Sequence, residues 1–554
     1  MLSLTKLLVI ACASSFLIVA GEYIGYRAAA LQYHSFDDIT GGGFAALQEN
    51  ANEYIKYIEE ASAQGAQILV FPEHGLTGLT LGSTLEEYFA QTQVVPDPEA
   101  REVPCDYTDV PESSLIMHQL SCEALKHHMY LVVCLAEQFN CSQVLSEDES
   151  YLQQSVDAND MPNGCEFYNT QAVFDDTGAV VARYRKKNLH NEPHFIAGTD
   201  PDSSAVFEAS FGVTFTLLIS FDILFYDPAV SNMESFGVRD VITSSGWMDQ
   251  LPFHVAPQVW KGFSEGYQAN LIAANHYNPM GGFLGTGIFR GVASDPDEYT
   301  YDTSSGTKLI IGDILTHAPV SPRNNSTSKS ERALSHNTAG HSSLHLMKNK
   351  DSMEHDSQEI ATGKSKKRPE RRTEVNMHQK YLHEILDHYD YIILNRSKSG
   401  ELVQETLIDH EHSITCMVTY TYPPGGSEDF LYMLISYAGL TPHGNFTYFL
   451  YNENCGVVLC LNENIESCAQ IEGAYLGDST FRPYELQGHF NGPYIYPAIL
   501  TDTVQLFNSE WWNYSLVQEE SGYRATIHIF EEVNDVLTLG LYSRLFSKDP
   551  EEMQ

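Results

Sequence analysis

Buried strands alternate with amphipathic helices through residues 22–322, and this alternation restricts the region to a layered α/β architecture. Residues 26–33 (YRAAALQY) read as a strand. Residues 44–63 read as a helix, with Leu47, Ala51, Ile55 and Ile58 on one face and Gly65 just past its end. Residues 66–71 (AQILVF) follow as a buried strand, and a second helix–strand pair covers residues 114–136. Residues 170–174 and 179–184 flank Asp175-Asp176-Thr177-Gly178, a hairpin signal. Residues 214–219 and 241–243 are further strands.

The start of the chain bears on compartment. A short positive segment ending at Lys6 leads into an apolar stretch from Leu7 to Ala20, too short to span well. Small residues then offer a cleavage point. We expect a signal peptide over residues 1–21 and a secreted, extracellular protein, without a lipid anchor or transmembrane segment. Nine cysteines remain after residue 21, so one is left over. Cys134 lies in a continuous apolar run and is expected to be the free thiol. The sequons at Asn140, Asn324, Asn325, Asn395, Asn445 and Asn513 suit the same compartment.

Two further regions follow. Residues 323–372 carry eleven of the 31 basic residues against six acidic ones, with few large apolar side chains. Such a stretch cannot bury enough surface to offset its chain entropy, and it reads as a disordered insertion or linker. Its histidines build no defined metal site. Arg368 and Arg371 give it an Arg-x-x-Arg spacing that processing enzymes can read, although an uncut loop is the plainer expectation. Residues 373–554 hold many β-like runs and scarce helical periodicity, suggesting a smaller, mainly β domain. The formal net charge of −42 excludes a nucleic-acid binder working through its overall field.

Common catalytic motifs are absent: no Gly-x-Ser-x-Gly elbow, no phosphate-binding glycine loop and no His-Glu-x-x-His. Three other positions share one feature, since each follows a predicted strand at the edge where open α/β folds place ligands. Glu73 stands in Phe71-Pro72-Glu73, where a carboxylate beside apolar neighbours can serve as a general base. Lys186 stands in Arg183-Tyr184-Arg185-Lys186 and could hold a developing oxyanion. Ser220 begins Ser220-Phe221-Asp222 and offers a hydroxyl. Taken singly, each is more often an ordinary strand-end residue.

Together these segments resemble the carbon–nitrogen hydrolase (nitrilase) superfamily, and within it the vanin/biotinidase branch. Residues 221–230 (FDILFYDPAV), 246–252 (GWMDQLP), 270–275 (NLIAAN), 285–288 (GTGI) and 541–546 (LYSRLF) carry the resemblance further. It implies an αββα sandwich in residues 22–322, a β-rich base domain in residues 373–554, and a small-molecule amide substrate with no cofactor or metal. It makes Glu73 the proton acceptor, Lys186 the oxyanion stabiliser and Ser220 the occupant of the nucleophile position. The family's nucleophile is Cys, and no other cysteine is near Ser220 in sequence. An alcohol is several units less acidic than a thiol, so a loss on the order of 10³-fold or more, about 4 kcal/mol of barrier, is expected. Two readings follow: a weak extracellular amidase of the pantetheinase or biotinidase type, or an inactive pseudoenzyme acting as a binding protein. We expect disulfides Cys105–Cys122 and Cys141–Cys165, two more among Cys416, Cys455, Cys460 and Cys468, and a monomer.

Overall fold

The computed structural model describes residues 23–37, 43–141, 164–292, 296–317, 382–396, 400–423, 431–443, 447–470, 481–533 and 536–550. The expected signal peptide, the basic stretch 323–372 and the sequons at Asn324, Asn325 and Asn445 lie outside the described residues.

Two six-stranded sheets stack face to face. One has the order Lys308–His317, Tyr23–Gln32, Ile68–Val70, Tyr130–Phe139, Glu166–Phe174, Val180–Arg185. The other has the order Glu298–Thr300, Thr286–Phe289, Asn270–Ala274, Asp240–Ser244, Thr214–Ile219, Val206–Glu208. Period-two alternation sorts one strand between two cores. Ala28 and Ala30 face the inter-sheet core with Val70, Val132, Phe215, Leu217 and Ile272, whereas Ala29 and Leu31 face Leu47, Ile58 and Leu120 of the outer helices. Those helices, Gly43–Ala63 and Glu112–His127, cover the first sheet, and Ala256–Tyr267 packs on the second. The result is a four-layer αββα sandwich.

Beyond it, two five-stranded antiparallel sheets enclose a second large core. The Ala256–Tyr267 helix also packs against this region, because Gly262 and Gly266 let strand Tyr494–Thr501 approach. A Cβ at either glycine would lie 2.7–2.8 Å from the carbonyl of Pro497 or Ile495.

Four disulfides are present: Cys105–Cys122, Cys141–Cys165, Cys416–Cys455 and Cys460–Cys468. Cys416–Cys455 joins the two sheets of the second region. Cys134 is free and buried. Among the described residues no helix is long and apolar enough to cross a membrane.

The junction between the regions buries ionisable groups that lack full partners. Neither ring nitrogen of His254 has a hydrogen bond, and its ring packs on Tyr542 and faces His443. Burial, then Arg544, pushes His254 down to about 4, and burial, then His254, lowers His443. Burial pushes Glu384 up to about 7 despite the hydroxyl of Tyr389 donating to it. A lowered histidine contributes stability that is full above its unfolded value near 6.5 and is lost as pH falls through the folded value. A raised carboxyl contributes stability that is full below its unfolded value and is lost as pH rises through the folded one. The junction is therefore expected to be most stable near pH 5.5–6.5, on the order of 3 kcal/mol being lost through His254 at strong acid. Thermal melts across pH check this. Glu384→Gln should flatten the alkaline limb, and an alkaline limb that persists in Glu384→Gln would contradict the assignment.

Candidate active site

Glu73, Lys186 and Ser220 each follow a strand. Glu73 comes three residues after Ile68–Val70, Lys186 directly after Val180–Arg185, and Ser220 directly after Thr214–Ile219. Ser244 joins these edges. It is the register partner of Ile219, it donates its hydroxyl to the Phe71 carbonyl (2.7 Å), and it accepts from Gln171 (2.9 Å).

The Lys186 ammonium is 2.7 Å from Glu73 Oε1 and 2.7 Å from Glu192 Oε2. Asn169 bridges the same carboxylates from the other side, its Nδ2 donating to Glu73 Oε1 (2.8 Å) and Glu192 Oε1 (2.6 Å). The Gly246 amide donates to Glu73 Oε2 at 2.9 Å, so both Glu73 oxygens are occupied. Burial alone would lower Lys186, but Glu192 and then Glu73 outweigh it and hold the ammonium well above its ordinary range. Burial would likewise raise Glu192, yet Lys186 and His74 keep it below the usual carboxylate range. The cluster is thus a charged lattice of one ammonium and two carboxylates. Glu73, His74 and Glu192 together could ligate a cation, but the Lys186 ammonium already pairs with both carboxylates.

The lysine is held from behind. Arg185 makes a bidentate pair with buried Glu137 (2.6 and 2.8 Å), and its guanidinium lies over Tyr168 and Phe139. Tyr184 donates to Asp222 Oδ2 at 2.7 Å, while Asn188 donates to Asp222 Oδ1 through its side chain (2.8 Å) and backbone (3.0 Å). Asp222 also accepts from the Ile219 amide at 3.1 Å, so one buried carboxylate fastens the Ser220 turn to the segments flanking Lys186. Burial pushes Asp222 up to about 6, an effect that Lys186 partly offsets.

Ser220 is buried and has φ +47°, a left-handed conformation that costs a non-glycine residue about 1–2 kcal/mol. Its hydroxyl has no hydrogen bond among the described residues. Strain of this kind, at a strand-to-helix turn, presents a side chain outward from the sheet edge. Ser220→Gly is expected to raise unfolding stability by up to ~1 kcal/mol, because glycine accepts this φ freely. Ser220→Ala should not. Equal denaturation midpoints for the two variants would remove the argument.

Glu192 and Asn169 were not anticipated from the sequence. Neither was the approach of Cys134, whose thiol donates to Asn169 Oδ1 at 3.3 Å. Its burial, followed by the Glu73 charge, raises the thiol well above its ordinary range. Cys134 is fully buried and protonated, behind Asn169, so it does not stand in for a cysteine at position 220.

The fold is an αββα sandwich with Glu73 and Lys186 in one buried cluster and a strained Ser220 following a neighbouring strand, and comparison with known proteins assigns this sandwich to a class of hydrolase. The profile of the carbon–nitrogen hydrolase family matches residues 27–270, and that of the vanin C-terminal domain matches residues 379–549. Biotinidase of Bos taurus is 27% identical over 511 residues, covering 91% of this chain and 87% of its own. Pantetheinase of Mus musculus is 25% identical over 511 residues, covering 91% and 84%. Biotinidase of Takifugu rubripes is 36% identical over 244 residues, covering 44% and 46%. The chain belongs to the vanin/biotinidase branch of the carbon–nitrogen hydrolase superfamily.

Proposed function

We propose that this is a secreted glycoprotein that hydrolyses linear amides slowly, with Ser220 as nucleophile, Glu73 as proton acceptor and Lys186 as oxyanion stabiliser. The observation that carries the reading is the Lys186 ammonium, held between Glu73 and Glu192 at 2.7 Å, on a segment that Asp222 fastens to the strained Ser220 turn. A fixed cation in a buried site stabilises a developing oxyanion far more than water does. The hydroxyl adds to the amide carbonyl, the amine departs, and water releases the acid from the acyl-serine. Relatives named biotinidase and pantetheinase support a biotin- or pantetheine-amide-like substrate. Four disulfides support an extracellular site of action. Exposed Asn140 and Asn395 support glycosylation at those sequons.

The Cys-to-Ser replacement favours a second reading, a binding protein that keeps the pocket without turnover. Release of amine from pantetheine, biocytin and simple amides by wild type, Ser220→Cys and Glu73→Ala decides between them. Wild-type turnover that Ser220→Ala abolishes supports the amidase. No turnover by wild type on any of these amides supports the binding protein.

A further inference from the structure

Ser220 holds a left-handed φ of +47°, and a residue keeps such a conformation only where its surroundings over-determine it. Asp222 supplies part of that constraint from within the sandwich. Another part reaches the turn from the C-terminal region through one ring. Phe221, the residue after Ser220, is buried among other rings. Phe225 of the same turn lies 5.2 Å from it, and His190, on the loop that follows Lys186, lies 4.6 Å from it. The rings of His443 and Tyr448 lie 5.6 Å from it. These two residues oppose one another as register partners where strands Leu431–His443 and Tyr448–Cys460 pair, so their side chains leave the same face of the sheet. Tyr448 also meets Phe225 at 5.2 Å, and its hydroxyl accepts a hydrogen bond from the Leu189 amide.

We infer that Tyr448 is a positioning residue for Ser220, fastening the Ser220 turn to the loop after Lys186 from the C-terminal region. The inference rests on the amidase reading and extends it, because it makes the C-terminal region part of the working site. One ring touches Phe221 and Phe225, and so restrains the turn on both sides of Asp222. The hydroxyl on that ring restrains Leu189, three residues after Lys186. Asp222 joins the same two segments through Tyr184 and Asn188. The nucleophile position and the lysine segment are thus tied twice, once by a buried carboxylate of the sandwich and once by an aromatic side chain of the other region. Tyr448 acts through Phe221 and Leu189 and takes no part in the bond changes.

The cost of losing this tie should fall on the chemical step. A misplacement of about 1 Å can cost about 10²-fold in rate while every reacting group is still present. Tyr448 is also a side chain that can be removed. It is only partly buried, and with Lys187, Asn188 and Phe225 it lines a groove of about 750 Å³ between the two regions. Truncating it widens a groove that already exists, so the fold should survive the change.

The test places Tyr448→Ala and Tyr448→Phe in the full chain carrying Ser220→Cys. Amine release from pantetheine and biocytin is measured, together with backbone hydrogen exchange read by mass spectrometry. Tyr448→Ala is expected to lower kcat by about 10²-fold while KM changes by less than about threefold. It should also speed exchange about tenfold in the peptides covering residues 187–190 and 219–225. Tyr448→Phe keeps the ring contacts and should retain most of kcat, with faster exchange in residues 187–190 alone. A merely structural role would lower the thermal midpoint and leave kcat of the folded molecules as it was. If Tyr448→Ala does not fold, Tyr448→Leu, which keeps apolar bulk without the ring, is read in the same way. An unchanged kcat in the folded variant overturns the inference, and so does unchanged exchange across residues 219–225. Should Ser220→Cys itself be inert on both amides, exchange decides. Faster exchange in both peptides means that the amidase reading fails while the tie through Tyr448 stands, and unchanged exchange means that both fail.

Discussion

Ser220→Cys is expected to hydrolyse amides on the order of 10³-fold faster than the native chain, and Glu73→Gln in that background to remove the gain. A thiol ionises several units below an alcohol, so one atom changes the chemistry of the nucleophile while its surroundings stay put. Lys186 already sits at 2.7 Å from Glu73, and the turn is already fixed by four hydrogen bonds to Asp222. No repacking is required for sulfur to take the place of an unengaged hydroxyl. Glu73→Gln should act twice, by removing a proton acceptor and by leaving Lys186 with one carboxylate instead of two. Steady-state release of amine from pantetheine or biocytin measures both effects. A folded Ser220→Cys chain that is inert on every amide would mean that the pocket no longer positions a carbonyl, whatever the nucleophile.

The layered α/β character was legible because its signals are local, while the αββα sandwich came from the family resemblance. Ala66 to Phe71 reads as a buried strand from its own composition, and Leu47, Ala51 and Ile58 mark a helix face that in the structure is buried against the first sheet. The mainly β character of the C-terminal region followed from scarce helical periodicity. The partners of the site residues were not legible, because sheet geometry and not spacing brings them together. Asn169 lies 96 residues from the Glu73 it binds, in the middle of a strand where nothing distinguishes it from its neighbours. Glu192 follows Lys186 by only six residues, but its chemistry appears only once the loop folds back onto the ammonium. The C-terminal disulfides stayed open for the same reason, since Cys416 and Cys455 meet only when two sheets stack.

Arg544→Met is expected to cost about 3–5 kcal/mol of stability, and to weaken the active site from a distance. The Arg544 side chain is wholly buried. Its guanidinium pairs with Asp549 at 2.6 and 3.2 Å, donates to the Tyr451 carbonyl, and donates through Nε to the Leu224 carbonyl at 2.9 Å. Leu224 ends the turn that Ser220 begins, so this one cation ties the C-terminal region to the Ser220 turn. Methionine would leave Asp549 as a buried charge without its guanidinium, and the Leu224 and Tyr451 carbonyls without the guanidinium donors, although Tyr451 keeps the Leu545 amide, and unmet desolvation of the charge is the main cost. Arg544→Lys should recover little, because an ammonium cannot reproduce the planar fork that reaches three acceptors at once. Removing the carboxylate as well, in Arg544→Met with Asp549→Leu, should recover part of the loss, and chemical denaturation of the four-member cycle measures the coupling. The turn adds a second readout. In the Ser220→Cys background, Arg544→Met should lower kcat more than it raises KM, because the freed Leu224 carbonyl lets the nucleophile drift while the Glu73–Lys186 pair stays in place. A loss of stability with kcat unchanged would confine Arg544 to holding the two regions together.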